Sequence, residues 1–543
     1  MTVTHKTQAT SRTSGGTEDK GVTMKWLTLL IPAFLLIVCL SVMRANTIHV
    51  PSQQPTIQAG IDAAVSSDGD TVLVADGIYT GDGNRDIDFL GKAIVVMSEN
   101  GAESCVIDCE EAGRGFYFHN EEESSSVLQG FSITNGRGDG AGIYCYNASP
   151  NIMGNTITGN TAAMWYGGGI YCVYSSPTIT DNTITGNTGD EDGGGIYCSS
   201  SSPTIKGNTI MWNTADDGGG IYCCNSSSPT ITDNTITGNT VYYTGGGIYC
   251  TSSSPTITGN TITGNVTIYY YGGGIYCGGE VSYPTIANNT ISGNTASIYG
   301  SPAQSNGGGI CCFGNSSPTI TGNTITENTA TGWGGGGIYC YSNFSPTITN
   351  SILWGNWPDQ IYRYNHPIIS YSNIQGGWPG EGNIDEDPMF VQPDTLMYTD
   401  YRLFWESPCI DTGDPNLFDP DRTRSDMGAH YFNQLDYLTL YITPDTTEVP
   451  PGGQLGITYT AINRWNWSQP FWALSAVKLS GSTPDIIMGP DRYKLPANYT
   501  TQVQTVYNIP PDARMGMYDY WAGIGLPPGI VFGQDSFKFK VTE

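Results

Sequence analysis

Residues 167–187 read GGGIYCVYSSPTITDNTITGN, and the chain repeats that phrase with small changes from Gly142 to Asn356. The cysteines that close its first half are Cys145, Cys172, Cys198, Cys223, Cys250, Cys277, Cys312 and Cys340, separated by 27, 26, 25, 27, 27, 35 and 28 residues. A period of this size without helical spacing means stacked supersecondary units. Within one unit, Ile170-Tyr171-Cys172, Thr178-Ile179-Thr180 and Thr183-Ile184-Thr185 alternate at period two, broken by Gly, Pro, Asn and Asp. Such runs are short strands joined by turns. The expectation is three strands per coil, with Ile170, Cys172, Ile179 and Ile184 pointing inward.

A single coil buries too few apolar side chains to offset the conformational entropy of ordering its backbone. The deficit closes only when coils stack about 4.8 Å apart, each strand bonding to its copies above and below. Like residues then meet in columns. Asn155, Asn182, Asn208, Asn234, Asn260, Asn289 and Asn323 occupy the corner between the second and third strands. Asparagine tolerates the left-handed conformation of a sharp corner, and its amide can bond along the stack.

With its Asn corners, the sequence resembles a right-handed parallel β-helix of the pectin-lyase-like superfamily, whose corners carry such ladders. The resemblance implies an all-β solenoid of about 11–12 coils. Leucine-rich and left-handed hexapeptide repeats fit worse. Calcium-binding glycine-rich repeats need an Asp in every turn, whereas Asp181 and Asp233 alternate with other residues at their position.

Along the chain, residues 1–23 are a polar extension. Residues 24–45 hold Lys25 and an apolar run from Trp26 to Val42, which reads as a secretory signal or, left uncleaved, a membrane anchor. Leu36-Ile37-Val38-Cys39 is lipobox-like, but Val38 replaces the small residue that lipoprotein processing prefers. The β-helix is expected over 46–432, with regular coils over 140–356 and a closing segment over 357–432. Helical spacing at Ile57, Ile61, Ala64 and Val65 predicts a short amphipathic helix over the open end of the first coil, where bare strands would template aggregation. Residues 433–543 alternate at strand period and predict a β-sandwich resembling the immunoglobulin-like modules of bacterial surface proteins.

A net charge of −28 argues against nucleic acid, anionic lipid surfaces and polyanionic substrates. Membrane contact is expected only through the N-terminal apolar segment. Between Gly138 and Asn356 the sole basic residue is Lys206, and histidine is absent. Of the 14 cysteines, one per coil falls on the inner face. Stacked side-chain vectors hold Cβ atoms too far apart for relaxed disulfides, so a column of buried free thiols is expected. The vicinal pairs Cys223–Cys224 and Cys311–Cys312 would put one sulfur on each face. No zinc site is expected, since no Cys-x-x-Cys occurs and histidines are few.

Three groups are candidate sites. The outward column Tyr144, Tyr171, Tyr197, Tyr222, Tyr249, Tyr276 and Tyr339, flanked by Trp165 and Trp333, would stack against sugar rings or simply support the sheet by same-face contacts. Asp192 and Asp217 each precede Gly-Gly-Gly and should be neighbours on adjacent coils, with Asp190, Glu191 and Asp216 close by and Asp139 at the equivalent position farther off. That pair suits acid and base roles in glycoside hydrolysis, a calcium ion, or merely two solvated loops. The closing segment's Asp411, Asp414, Asp419, Asp421 and Asp426 suit calcium, the only cofactor the chain suggests.

What the resemblance implies for catalysis does not transfer. A lyase of this superfamily needs a basic residue to take the proton and cations to hold the uronate, and its glycosidases carry Gly-His-Gly motifs, which are missing. Near-identical coils favour an exported, non-catalytic protein presenting a polar and aromatic face to a polysaccharide or cell-surface glycan. The alternative is a hydrolase of a neutral polysaccharide.

Overall fold

The structure, a computed structural model, describes residues 45–66, 69–163, 166–280, 282–296, 306–332, 334–342, 345–364, 366–392, 400–403, 407–433, 438–465, 467–479, 485–526 and 530–542. The extension, nearly all of the signal or anchor segment, Trp165 and Trp333 lie outside the described residues.

Stacked parallel strands build a β-solenoid from three long sheets of 13, 11 and 12 strands. Register is in phase along the three long sheets, and the short fourth sheet shifts once, between Ala215 and Asp217. Ile170 pairs with Ile196, Tyr171 with Tyr197 and Cys172 with Cys198, and the next coil repeats the pattern with Ile221, Tyr222 and Cys223. The inward Ile170, Cys172, Ile179 and Ile184 are fully buried in one continuous core. To the three expected strands, seven coils add a short fourth that forms a sheet of its own. Its members are stretches such as Thr161–Ala162 and Thr329–Ala330, in which a small inward residue lets the chain turn toward the glycine corner.

Glycine is required at that corner. A Cβ on Gly169 would lie 2.5 Å from the carbonyl oxygen of Gly195 one coil away, closer than atoms approach. At the Asn corner the left-handed residue stands one position before the expected one. Gly154, Asp181, Gly207, Asp233, Gly259, Asn288 and Gly322 have φ between 54° and 69°. The ladder asparagines follow them and turn inward. Alternation of Gly, Asp and Asn at that site is therefore backbone chemistry, since these residues tolerate positive φ best.

The inward asparagines are buried and satisfied. Asn182 Nδ2 donates to Asn208 Oδ1 at 3.0 Å and to the Ile152 carbonyl at 3.0 Å, and Asn182 N donates to the same Asn208 Oδ1 at 2.9 Å. Asn208, Asn234, Asn260 and Asn289 repeat the link upward, until Asn323 N meets Ser351 Oγ at 3.2 Å. A second ladder of the same build runs at the next corner through Asn160, Asn187, Asn213, Asn239, Asn265, Asn294, Asn328 and Asn356.

The helix Ile57–Ala63 covers the first coil with Ile57, Gly60 and Ile61 buried. Thr56 Oγ1 caps it by accepting from Ala59 N at 3.2 Å, and Lys92 Nζ donates to the carbonyls of Ile61, Asp62 and Ala64 at its far end. Val65, expected on its buried face, lies past the end of the helix and is exposed. At the other end, the closing segment runs back along the solenoid. Gly428 N donates to the Asn350 carbonyl at 2.7 Å, Ala429 N to Thr324 Oγ1 at 3.0 Å, and the His430 ring lies 3.0 Å from Thr290 Oγ1.

Residues 438–542 form a three-stranded and a five-stranded sheet around a separate core. Both are antiparallel except where Glu448–Val449 runs parallel to Ile530–Val541. Arg402 joins this region to the preceding hairpin through a 2.9 Å ion pair with the buried Asp535.

Candidate functional site

All thirteen described cysteines are free and buried. Cys223 and Cys312 face the inner core, whereas Cys224 and Cys311 sit among the outer tyrosines. Burial pushes the thiols of Cys105, Cys109 and Cys409 up to about 12 and holds Cys311 well above its ordinary value.

The tyrosines form one stack on the outer face of their sheet. Ring centroids from Tyr144 through Tyr171, Tyr197, Tyr222, Tyr249 and Tyr276 are 5.0, 5.0, 5.0, 4.7 and 4.8 Å apart. Tyr197, Tyr222, Tyr249 and Tyr276 lie within 9° of parallel, ring to ring. Cys311 interrupts the column before Tyr339. Tyr197, Tyr222, Tyr276 and Tyr339 are buried and Tyr171 and Tyr249 half-buried. A Cβ on Gly278, two positions on, would meet the Tyr276 hydroxyl at 2.6 Å, and the Tyr197 hydroxyl lies 3.4 Å from Cys224 Sγ of the next coil. Each face is covered by the next ring, so these tyrosines offer a ligand their edges rather than their faces.

Asp192 and Asp217 are paired across adjacent coils, as their place before Gly-Gly-Gly predicts. Tyr166 holds the equivalent position one coil below Asp192, which separates Asp139 from the pair. Burial, and next the charge of Asp217, push the Asp192 carboxyl up to about 7 against the opposing hydrogen bond of Tyr222. Burial also raises Asp217, whose Oδ1 accepts from the Thr244 amide at 2.6 Å and from the Thr244 hydroxyl. A carboxyl pushed up beside a second carboxylate is the arrangement that acid and base pairs use.

Beside this pair, the short fourth sheet bears a shallow depression of about 280 Å³. Thr188, Thr214 and Thr240 line it as a row of hydroxyls, with Asp190, Asp216 and Tyr242 each two residues farther along its own coil. Thr188 and Thr214 hydroxyls are 3.1 Å apart, and Tyr242 is 53% exposed. Burial, with Asp190 and Glu191 nearby, raises the Asp216 carboxyl.

A further polar cluster lies on the first coils, outside the regular repeat. His119 Nε2 is 3.0 Å from Asp88 Oδ2, and the His119 ring stacks on Tyr117 at 3.8 Å. Arg114 lies over both Tyr117 and Tyr144, at 4.8 and 5.0 Å, and so ends the tyrosine stack with a cation. The register Asp88–Tyr117–Tyr144 puts Asp88 in the tyrosine column itself.

In the closing segment the carboxylates hold backbone. Asp414 Oδ1 accepts from Asn416 N, Asp419 Oδ2 from Asp426 N, Asp421 Oδ1 from Thr423 N, and Asp426 from Asp411 N and Phe432 N. Among the described residues, no three such groups, Asp411 included, converge on a metal-sized space.

Fold and surface together define a parallel β-solenoid with an antiparallel C-terminal region. The right-handed β-helix region model matches residues 46–210, 93–262, 154–291 and 195–377, more than half the chain between them, and the protein belongs to that family. No curated protein matches. Among solved structures, the Pseudomonas fluorescens alkylpurine DNA glycosylase AlkC bound to abasic-site DNA is similar at 10% identity and TM-score 0.17, over 20% of this chain and 31% of that one. The Bacillus subtilis sporulation control protein Spo0M aligns at 11% identity and TM-score 0.15, over 20% and 50%. A Listeria innocua β-glucosidase aligns at 12% and 0.16, over 23% and 18%. Likenesses this slight carry no functional information.

Proposed function

We propose that the protein is an exported, non-catalytic β-helix that binds a neutral polysaccharide, at a cell surface, along the side of its solenoid. The depression on the fourth sheet carries this reading. An exposed aromatic ring, a row of hydroxyls and two flanking carboxylates are the groups that stack on a pyranose and accept its hydroxyls. The ligand is neutral because a chain of net charge −28 repels polyanions. The N-terminal apolar segment directs export, and the C-terminal sheets, immunoglobulin-like in strand pattern, act as spacer or attachment module. A glycan array probed with the full chain tests the proposal. Binding of a neutral glycan, lost in Tyr242→Ala and weakened in Asp216→Asn, is expected, and no binding to any neutral glycan would overturn it.

A second reading, hydrolysis of a neutral polysaccharide, is favoured by one observation, the Asp192 carboxyl raised to about 7 beside Asp217. Reducing ends released by the wild type and abolished in Asp192→Asn or Asp217→Asn would establish it over the binding role.

A further inference from the structure

The two C-terminal sheets leave one side open. Asp485–Leu495 ends the five-stranded sheet and Tyr499–Asn508 ends the three-stranded one. Between these edges lies a cavity of about 340 Å³, within the range of about 300–1,000 Å³ typical of small-molecule sites. Leu440, Ala461, Phe471, Ala473 and Ile524 form its inner wall. Tyr493, Tyr499 and Val503, each about half exposed, stand at its rim.

The shape selects the ligand. Tyr499, Thr501, Val503 and Thr505, alternate residues of one strand, all line the cavity, a run of about 20 Å at strand spacing. An apolar bore that follows one strand for this distance suits an extended methylene chain better than a compact, polar sugar ring. The wall hydroxyl of Tyr459 is engaged with Tyr520 at 2.6 Å.

Charge selects the head group. Among the described residues, Lys494 is the single charged one on the wall, and Arg492 lies two residues before it on the same strand. A lysine stem can lie on apolar surface while its ammonium stays in water. Residues 438–543 carry seven Lys and Arg against eight Asp and Glu, whereas the whole chain carries 21 against 49. The near-neutral C-terminal region thus repels an anion less than the acidic solenoid does.

We infer that this cavity is a second binding site, separate from the solenoid, for a free unbranched alkyl chain ending in a carboxylate. Its test titrates the full-length protein calorimetrically with straight-chain carboxylates, hexanoate through hexadecanoate, each below its micelle concentration. Affinity should rise about fourfold per methylene over the shorter members and level off once the bore is filled. The alcohol of equal length should bind more weakly, and Lys494→Ala should bring the carboxylate down to the alcohol's level. Ala473→Leu, which obstructs the bore, should abolish binding. Val503→Asp, a half-exposed rim substitution that leaves the core untouched, should weaken it independently. No binding, affinity indifferent to chain length, or equal binding by wild type and both blocking variants would overturn the inference. So would co-sedimentation of the protein with phosphatidylcholine vesicles through this site, which would assign the cavity to a membrane.

Discussion

Replacing Asn208 by Ala tests whether the ladders hold the coils together. In the wild type, Asn208 Oδ1 accepts from Asn182 N at 2.9 Å and Asn182 Nδ2 at 3.0 Å. Its own amide donates to the carbonyls of Ile179 and Lys206 and to Asn234 Oδ1. The substitution leaves the buried Asn182 N–H with no acceptor, a cost of about 1–3 kcal/mol. It also removes one bond from the Asn182 side chain and donors from three acceptors, which brings the expected loss to about 3–4 kcal/mol. In a solenoid this loss falls mainly on neighbouring coils, because each repeat contacts only its neighbours. Urea denaturation measures the total, and amide hydrogen exchange around Asn182 and Asn234 locates it. Asn100→Ala is the control, since Asn100 is exposed and its side-chain amide reaches only the exposed Asp76 carboxylate. An Asn208→Ala protein within about 0.5 kcal/mol of that control would refute the reasoning.

Asp192→Asn should change the pH dependence of stability. Its folded carboxyl is raised from 3.8 to about 7, so the native state binds the extra proton between those values and stability falls as pH rises through them. The variant should lose that fall, gaining on the wild type above pH 7 in denaturation curves measured at several pH values. Tyr222→Ala should cost about 3–5 kcal/mol, because Tyr222 is only 9% exposed and stacked on both faces. Trp212→Ala, at 67% exposed, should be near neutral in the same thermal melts. The thirteen described thiols should resist iodoacetamide in the native protein and react on unfolding, as mass spectrometry would count.

How far the sequence can be read depends on whether a residue's neighbours are its own copies. Ile, Cys and Asn columns are legible because a fixed period puts identical letters in contact, so Asn182 on Asn208 follows from spacing alone. The left-handed corner residue is harder, since the invariant Asn draws attention and the true site, Asp181 and its equivalents, varies among Gly, Asp and Asn. That variation was itself the signal, because it runs through the residues that positive φ admits.

Burial of the tyrosine stack is less legible still. Period two predicts that Tyr222 points out of the coil, which it does, but not what lies over it. The covering comes from the next rings, with Cys224, Thr251 and Gly278 beside the Tyr197, Tyr249 and Tyr276 hydroxyls, and those small residues were the trace it left in the sequence. The Asp88–His119 contact left no such trace, since it joins two coils that do not share the repeat. The C-terminal cavity left none either, because it depends on how far apart two sheet edges stand. Columns of copies therefore fix the solenoid from sequence. Pairings between unlike residues, where any chemistry of this protein resides, emerge only once the coils are stacked.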